Sequence, residues 1–162
     1  MNKKMIVYTL GRMLMLEGIM LGLPFMVGLI YQEKEVALIF GEVALVLLGI
    51  GYLLSYKRPL KTKIHAREGF LIVALAWTVL SLFGAFPFYL SREIPSYIDA
   101  FFETVSGFTT TGSSILTNIE GMSHAGLFWR SFSHWVGGMG ILVFVVAILP
   151  DSYGSSLHIL RA

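Results

Sequence analysis

The sequence predicts an all-α polytopic membrane protein with four crossings and one re-entrant loop, and three observations carry that prediction. Hydrophobic residues make up 56% of the 162 positions, and the mean hydropathy is +0.74. Charged residues are 14%, well below the roughly 25% of soluble domains, which excludes a water-soluble globule. Several segments approach or reach the roughly 20 apolar residues needed to cross a bilayer. Cysteine is absent, which removes disulfides and thiolate metal sites. No segment reads as a soluble catalytic domain, a low-complexity tail or a nucleic-acid patch, so function lies in the membrane part.

The first span, from about Val7 to Ile30, is longer than a signal-peptide core and lacks a small-residue cleavage site, so it is a retained helix, kinked by Pro24. After Glu33-Lys34-Glu35, the second span covers about Val36 to Tyr56. Its Gly41/Gly49/Gly51 series suits close helix approach. Arg12, Glu17 and Glu42 are placed to pair between these two spans. Lys57, Arg58, Lys61, Lys63 and Arg67 form the densest positive cluster, and with Lys3 and Lys4 they put the N-terminus and this loop in the cytoplasm, two crossings apart. Residues 1–69 are thus two leading helices with a basic loop.

The third span, Phe70 to about Leu90, carries no charge and returns the chain outside. The fourth runs from about Ala125 to Leu149, ahead of a tail, 151–162, read as cytoplasmic and truncated. If that tail is inside, the stretch from Ser91 to His124 must leave and return on one face. Within it, Ser96 can cap a helix that has Asp99 at its third position. Ile98, Phe101, Phe102, Val105 and Phe108 follow at helical spacing, and Gly107 is a plausible stop. About 11 residues rising 1.5 Å each span roughly 16 Å, half the hydrocarbon thickness, so this helix enters a membrane without crossing it. The re-entrant segment is 96–114, inside a helix–loop–helix unit over 70–150.

Non-helical backbone at such depth must be buried in protein or line water. The segment concerned is Thr109-Thr110-Thr111-Gly112-Ser113. Backbone carbonyls supplemented by threonine hydroxyls can replace a cation's water shell, and Gly112 accepts the positive φ that turns carbonyls toward one axis. Thr110, Thr111 and Gly112 are the candidate metal ligands, for potassium, through backbone oxygens. The preceding helix aims its carbonyl end at the same place. Ordinary loop chemistry uses the same residue types, and it is the re-entrant context that favours an ion filter over it.

Glu103 either attracts cations near the segment or holds the loop through hydrogen bonds to the Thr109–Ser113 amides, and the second role is preferred. Asp99 is first a helix-start residue and secondarily a cation attractor at the outer mouth. Arg130 and His134 share a helix face; Arg130 is expected to snorkel outward and His134 to be satisfied by a neighbouring polar group. A serine-protease reading of Ser113 or Ser133 with His134 fails, because adjacent Ser133 and His134 point to different faces and no nucleophile turn is present.

The run Asp99-Ala100-Phe101-Phe102-Glu103-Thr104-Val105-Ser106-Gly107-Phe108-Thr109-Thr110-Thr111-Gly112 resembles the first pore segment of the Trk/Ktr/HKT potassium transporters. Trp129-Arg130-Ser131-Phe132-Ser133-His134-Trp135-Val136-Gly137-Gly138-Met139-Gly140 is similar to the start of the helix that follows it in the Trk branch. The resemblance implies four helix–pore-loop–helix units around one axis, of which this chain holds one. The others would come from the rest of the transporter or from identical copies. It implies a selectivity filter at Thr109, Thr110, Thr111, Gly112 and Ser113, and passive or ion-coupled potassium uptake at the cell (inner) membrane. It implies no enzymatic chemistry and no cofactor in this chain beyond the transported potassium ion. A cytosolic nucleotide-binding regulatory subunit (TrkA-like) is the implied partner. A secondary transporter with a broken-helix substrate site, and a non-transporting structural membrane subunit, remain the alternatives.

Overall fold

The computed structural model describes residues 3–59 and 66–148. Lys61, Lys63 and the 151–162 tail lie outside the described residues. Every regular element among those described is an α-helix: α1 Lys3–Ile30, α2 Lys34–Ser55, α3 Ala66–Gly84, α4 Phe86–Leu90, α5 Tyr97–Phe108 and α6 His124–Ile148. Three stretches, Lys3–Ile30, Lys34–Ser55 and Arg67–Leu90, are long and apolar enough to cross a membrane. At 25 residues, α6 has the length as well.

The α1–α2 hairpin packs through small residues. A Cβ on Gly11 would stand 2.9 Å from the Gly51 carbonyl, one on Gly18 2.9 Å from the Ala44 carbonyl, and one on Gly28 2.9 Å from the Ala37 methyl. Spacings of seven and ten residues put these three glycines on one face of α1, where they let the two backbones approach. Of the glycines that the sequence marks on α2, only Gly51 meets α1 backbone; Gly41 faces the Phe25 ring and Gly49 has open space. The expected pairing of Arg12, Glu17 and Glu42 does not form. Arg12 and Glu42 are exposed, and Glu17 is buried with no hydrogen-bond partner among the described residues.

The third span is one crossing built from two helices. Pro87 lacks the amide that would bond the Phe83 carbonyl, so the helix resets at Ala85, and the Trp129 indole donates to the Gly84 carbonyl at 2.9 Å. Beyond α4, the stretch Ser91–His124 leaves from and returns to one end of the bundle. The Ser123 amide donates to Glu93 at 2.6 Å, while the His124 and Ala125 amides donate to Glu33 at 2.9 and 3.2 Å. Between these anchors α5 descends beside the third span. The Tyr97 hydroxyl donates to the Leu82 carbonyl and its ring meets Tyr89, whereas Phe108 at the far end of α5 meets Trp77. Tyr89 and Trp77 are about 18 Å apart along a helix axis, which matches the length of the 12-residue α5.

α5 is rotated relative to what its apolar spacing suggests. Ile98 and Phe102 face outward, 76% and 47% exposed, and the buried residues are Ala100, Glu103, Thr104, Ser106, Gly107 and Phe108. Within this chain mainly the small and polar residues of α5, together with Phe108, make the helix–helix contacts, as is common in membrane proteins.

Candidate functional site

α5 starts as its sequence dictates, with Ser96 Oγ accepting from the Asp99 amide at 3.4 Å. It ends differently from the expected Gly107 stop. The Thr110 amide bonds the Gly107 carbonyl and the Thr111 amide bonds the Ser106 carbonyl, each at 3.0 Å, closing a Schellman motif around Thr109 as the C-cap. The left-handed residue this motif requires is Thr110, at φ 55°, rather than a glycine. A side chain there costs roughly 1–2 kcal/mol. Gly107 is needed for space instead, because a Cβ on it would collide with Ser133 Oγ. Gly137 on α6 does the same for the Phe108 carbonyl, so α6 lies flush against the carbonyl end of α5.

The Schellman bonds orient the threonine backbone. In a planar trans peptide the N–H of one residue and the C=O of the residue before it point in opposite directions. No peptide is cis among the described residues. With the Thr110 and Thr111 amides turned back into α5, the carbonyls of Thr109 and Thr110 point away from it. Gly112 has φ 76°, a second left-handed residue that suits glycine. Ser113 turns the other way, its carbonyl accepting from the Ser106 hydroxyl at 2.6 Å. Residues 109–115 are all exposed.

Glu103 is the hub behind the segment. Its carboxylate accepts from the Ser114 hydroxyl at 3.0 and 3.1 Å, from the Ile115 amide at 3.1 Å and from Arg130 Nε at 2.6 Å. The sequence points Glu103 at the Thr109–Ser113 amides, and the carboxylate instead reaches one and two residues further on. Arg130 does not snorkel. Its side chain is 18% exposed against 0% for Glu103, because a buried opposite charge across the α5–α6 contact outcompetes a lone path to the interface. His134 Nδ1 meets the Arg130 carbonyl at 2.8 Å, the polar neighbour expected for it. Asp99 lies at the opposite end of α5, about 15 Å from the threonines by helical rise, and is not brought to them. Ser106 and Ser114 gave no signal of their own in the sequence, whereas Gly137, with Gly138 and Gly140, reads there as a mark of close packing, and Gly137 does pack against the Phe108 carbonyl. Glu103 gave a signal as an intramembrane carboxylate, but its pairing with Arg130, which the sequence places at the interface, was not foreseen.

At the rim of the bundle, Glu33 caps α6. Besides its two amide bonds it lies 2.8 Å from His124 Nδ1, and the His124 ring stacks on Tyr31 at 3.8 Å. Burial pushes the Glu33 carboxyl up. The His124 amide and ring bonds, the Ala125 amide and the His124 charge together outweigh that effect and hold it below its ordinary value.

A 12-residue helix, a threonine-glycine segment with outward carbonyls and an α6 packed flush behind it form one unit. Residues 38–158 match the family described as TrkH, cation transport protein. The chain belongs to the TrkH family. It is 44% identical over 142 residues to the Trk system potassium uptake protein TrkH of Salmonella typhimurium, covering 86% of this chain and 29% of that one. To the uncharacterized cation transporter MJ1485 of Methanocaldococcus jannaschii it is 37% identical over 148 residues, covering 91% of this chain and 31% of the relative. The fold matches the crystal structure of the potassium transporter TrkH from Vibrio parahaemolyticus with a TM-score of 0.85 and 37% identity, over 96% of this chain and 34% of that one. This chain thus has the fold of an all-α polytopic membrane protein, with two leading helices and one helix–loop–helix unit, and it spans about a third of the length of these relatives.

Proposed function

We propose that this chain supplies one wall of a potassium-selective passage for uptake across the cell (inner) membrane, with Thr109, Thr110, Thr111 and Gly112 facing the ion. The observation that carries the reading is the orientation of the threonine backbone: amides turned into α5, carbonyls of Thr109 and Thr110 turned away, on an exposed segment. Dehydrated potassium needs such oxygens, and the carbonyl end of α5 adds partial negative charge beside them. Ser113 anchors the strand through its carbonyl, and Glu103 with Arg130 holds it from behind as positioning residues. The names of the relatives support potassium as the ion. Completing the passage takes three further pore units, from the rest of a transporter or from identical copies. A cytosolic nucleotide-binding regulatory subunit meets the inner face, on which the N-terminus lies. A broken-helix anion site would present amides, and the amide end of α5 is instead at Ser96, capped and remote from the segment.

The test is a chimera in which this chain replaces the matched third of the Vibrio parahaemolyticus protein, expressed in a host lacking potassium uptake. The parent chimera is expected to restore growth at limiting potassium and to take up rubidium. Gly112→Ser is expected to lower rubidium uptake and the preference for potassium over sodium, since serine resists the φ of 76°. Unchanged uptake and selectivity in that variant would overturn the assignment.

A further inference from the structure

Leu16, Ile19, Leu23 and Met26 follow one another at helical spacing on α1 and are all exposed, so this stripe faces lipid. Arg12 begins the stripe. It is exposed as well, and it has no hydrogen bond or ion pair among the described residues. By helical rise it lies about 27 Å from Ile30, beside the rim where Tyr31 stacks on His124. The hydrocarbon layer is roughly 30 Å thick, so the guanidinium stands at the opposite boundary, within snorkelling reach of the headgroups. The end of α2 is level with it: a Cβ on Gly11 would stand 2.9 Å from the Gly51 carbonyl and 3.1 Å from the Ser55 amide nitrogen. An antiparallel pair has a local two-fold axis normal to its plane, which carries the residue after one contact glycine onto the residue after the other. Arg12 and Tyr52 therefore lie on the same flank of the hairpin. Tyr56, one turn on, shares that face, and the two exposed rings meet edge to edge-on face at 5.7 Å. Lys57 and Arg58 follow at once and are exposed. The carboxylates are elsewhere: Glu42 is about 15 Å along α2 from Tyr52, and Glu68, at the start of α3, is buried.

We propose that this flank of the leading hairpin binds the headgroup of an anionic phospholipid, in the leaflet on the side of the N-terminus, with Arg12 on the phosphate. Charge complementarity selects the class: Arg12, Lys57 and Arg58 stand together with no carboxylate beside them, and each basic residue near a bilayer surface attracts anionic lipid. A guanidinium offers paired N–H groups that fit two phosphate oxygens. Tyr52 and Tyr56 mark the layer in which that phosphate sits, since tyrosine rings gather at headgroup level. Depth favours a lipid over the acidic face of a soluble protein, because Arg12 and Tyr52 lie within the length of apolar helix, beside exposed Leu53 and Leu54. The site is remote from the threonine-glycine segment and stands whether or not the ion-facing assignment holds.

The experiment is native mass spectrometry of the full 162-residue chain in dodecyl maltoside, titrated with dioleoylphosphatidylglycerol or with dioleoylphosphatidylcholine, which share acyl chains and differ in net charge. The first phosphatidylglycerol is expected to bind about tenfold or more tightly than phosphatidylcholine. Arg12→Gln, at an exposed position without a partner to strand, is expected to keep its helical circular dichroism and to weaken phosphatidylglycerol about fivefold, the scale of one basic residue near a surface. Lys34→Gln removes the same charge from an exposed position at the other end of the hairpin, and it is expected to leave phosphatidylglycerol binding unchanged. An excess of sn-glycerol 3-phosphate is expected to leave the lipid adduct in place. Equal binding of the two lipids would overturn the proposal and leave the basic end to an acidic protein surface. Equal effects of Arg12→Gln and Lys34→Gln would reduce it to diffuse charge, and displacement of the lipid by glycerol phosphate would mean that soluble phosphate suffices; either result overturns the lipid site.

Discussion

The leading hairpin and the pore unit are built from the same apolar alphabet and held by different forces. Where α1 meets α2, glycines on one face of α1 remove side chains so that backbones touch, with few side-chain hydrogen bonds between the two helices. Around α5 the contacts are polar and at least partly buried: Glu103 with Arg130, Ser114 and Ile115, Ser106 with Ser113, and the Trp129 indole with Gly84. The unit of α5 and α6 contains irregular backbone, whose peptide groups would each cost several kcal/mol if left unsatisfied away from water, and it carries hydrogen-bond partners for them.

Four substitutions break or sharpen this contrast. Arg130→Leu should have the largest effect, roughly 3–5 kcal/mol, because it strands the Glu103 carboxylate in the interior. Denaturant unfolding in detergent micelles followed by tryptophan emission measures it, since all three tryptophans lie on α3 and α6. Gly51→Ala should cost roughly 1–3 kcal/mol by overpacking, its new methyl standing 2.6 Å from the Gly11 carbonyl and 2.8 Å from the Met15 amide nitrogen. Its signature should be faster hydrogen exchange in α1 and α2 with little change in tryptophan emission. An equal change in both regions would show that the two are held as one.

Thr110→Gly should stabilise the pore unit by about 1 kcal/mol by relieving the left-handed threonine, visible as a raised unfolding midpoint. A lowered midpoint would mean that the threonine side chain contributes more than its backbone costs. Glu33→Gln should have the smallest effect, about 0.5–1 kcal/mol at neutral pH, from a weakened cap on α6. Because the Glu33 carboxyl is held below its ordinary value of 4.5, its contribution is present above that pH and is lost as pH falls through the lowered folded value. Protection of the His124 and Ala125 amides should follow that acid dependence in the parent chain and not in the variant.

Much of α5 is legible locally. Ser96 and Asp99 mark its start, its length excludes a crossing, and Gly112 has the left-handed φ expected of it. The outward turn of Ile98 and Phe102 misleads a reading trained on water-soluble cores, where apolar means inside. The choice of Thr110 over Gly107 as the left-handed residue also escapes the sequence. α6 packs so close at Gly107 and Phe108 that glycine is needed there for room, and the helix carries on one residue past it.

Span length, hydropathy, caps and helical faces are set by neighbours within about four residues, and these the sequence by itself determined. Partners across helices are another matter. Glu103 finds Arg130 27 residues away, Glu33 caps a helix 91 residues away, and Glu17 finds no partner among the described residues. Those outcomes depend on the depth and rotation at which each helix packs, which only the tertiary structure decided.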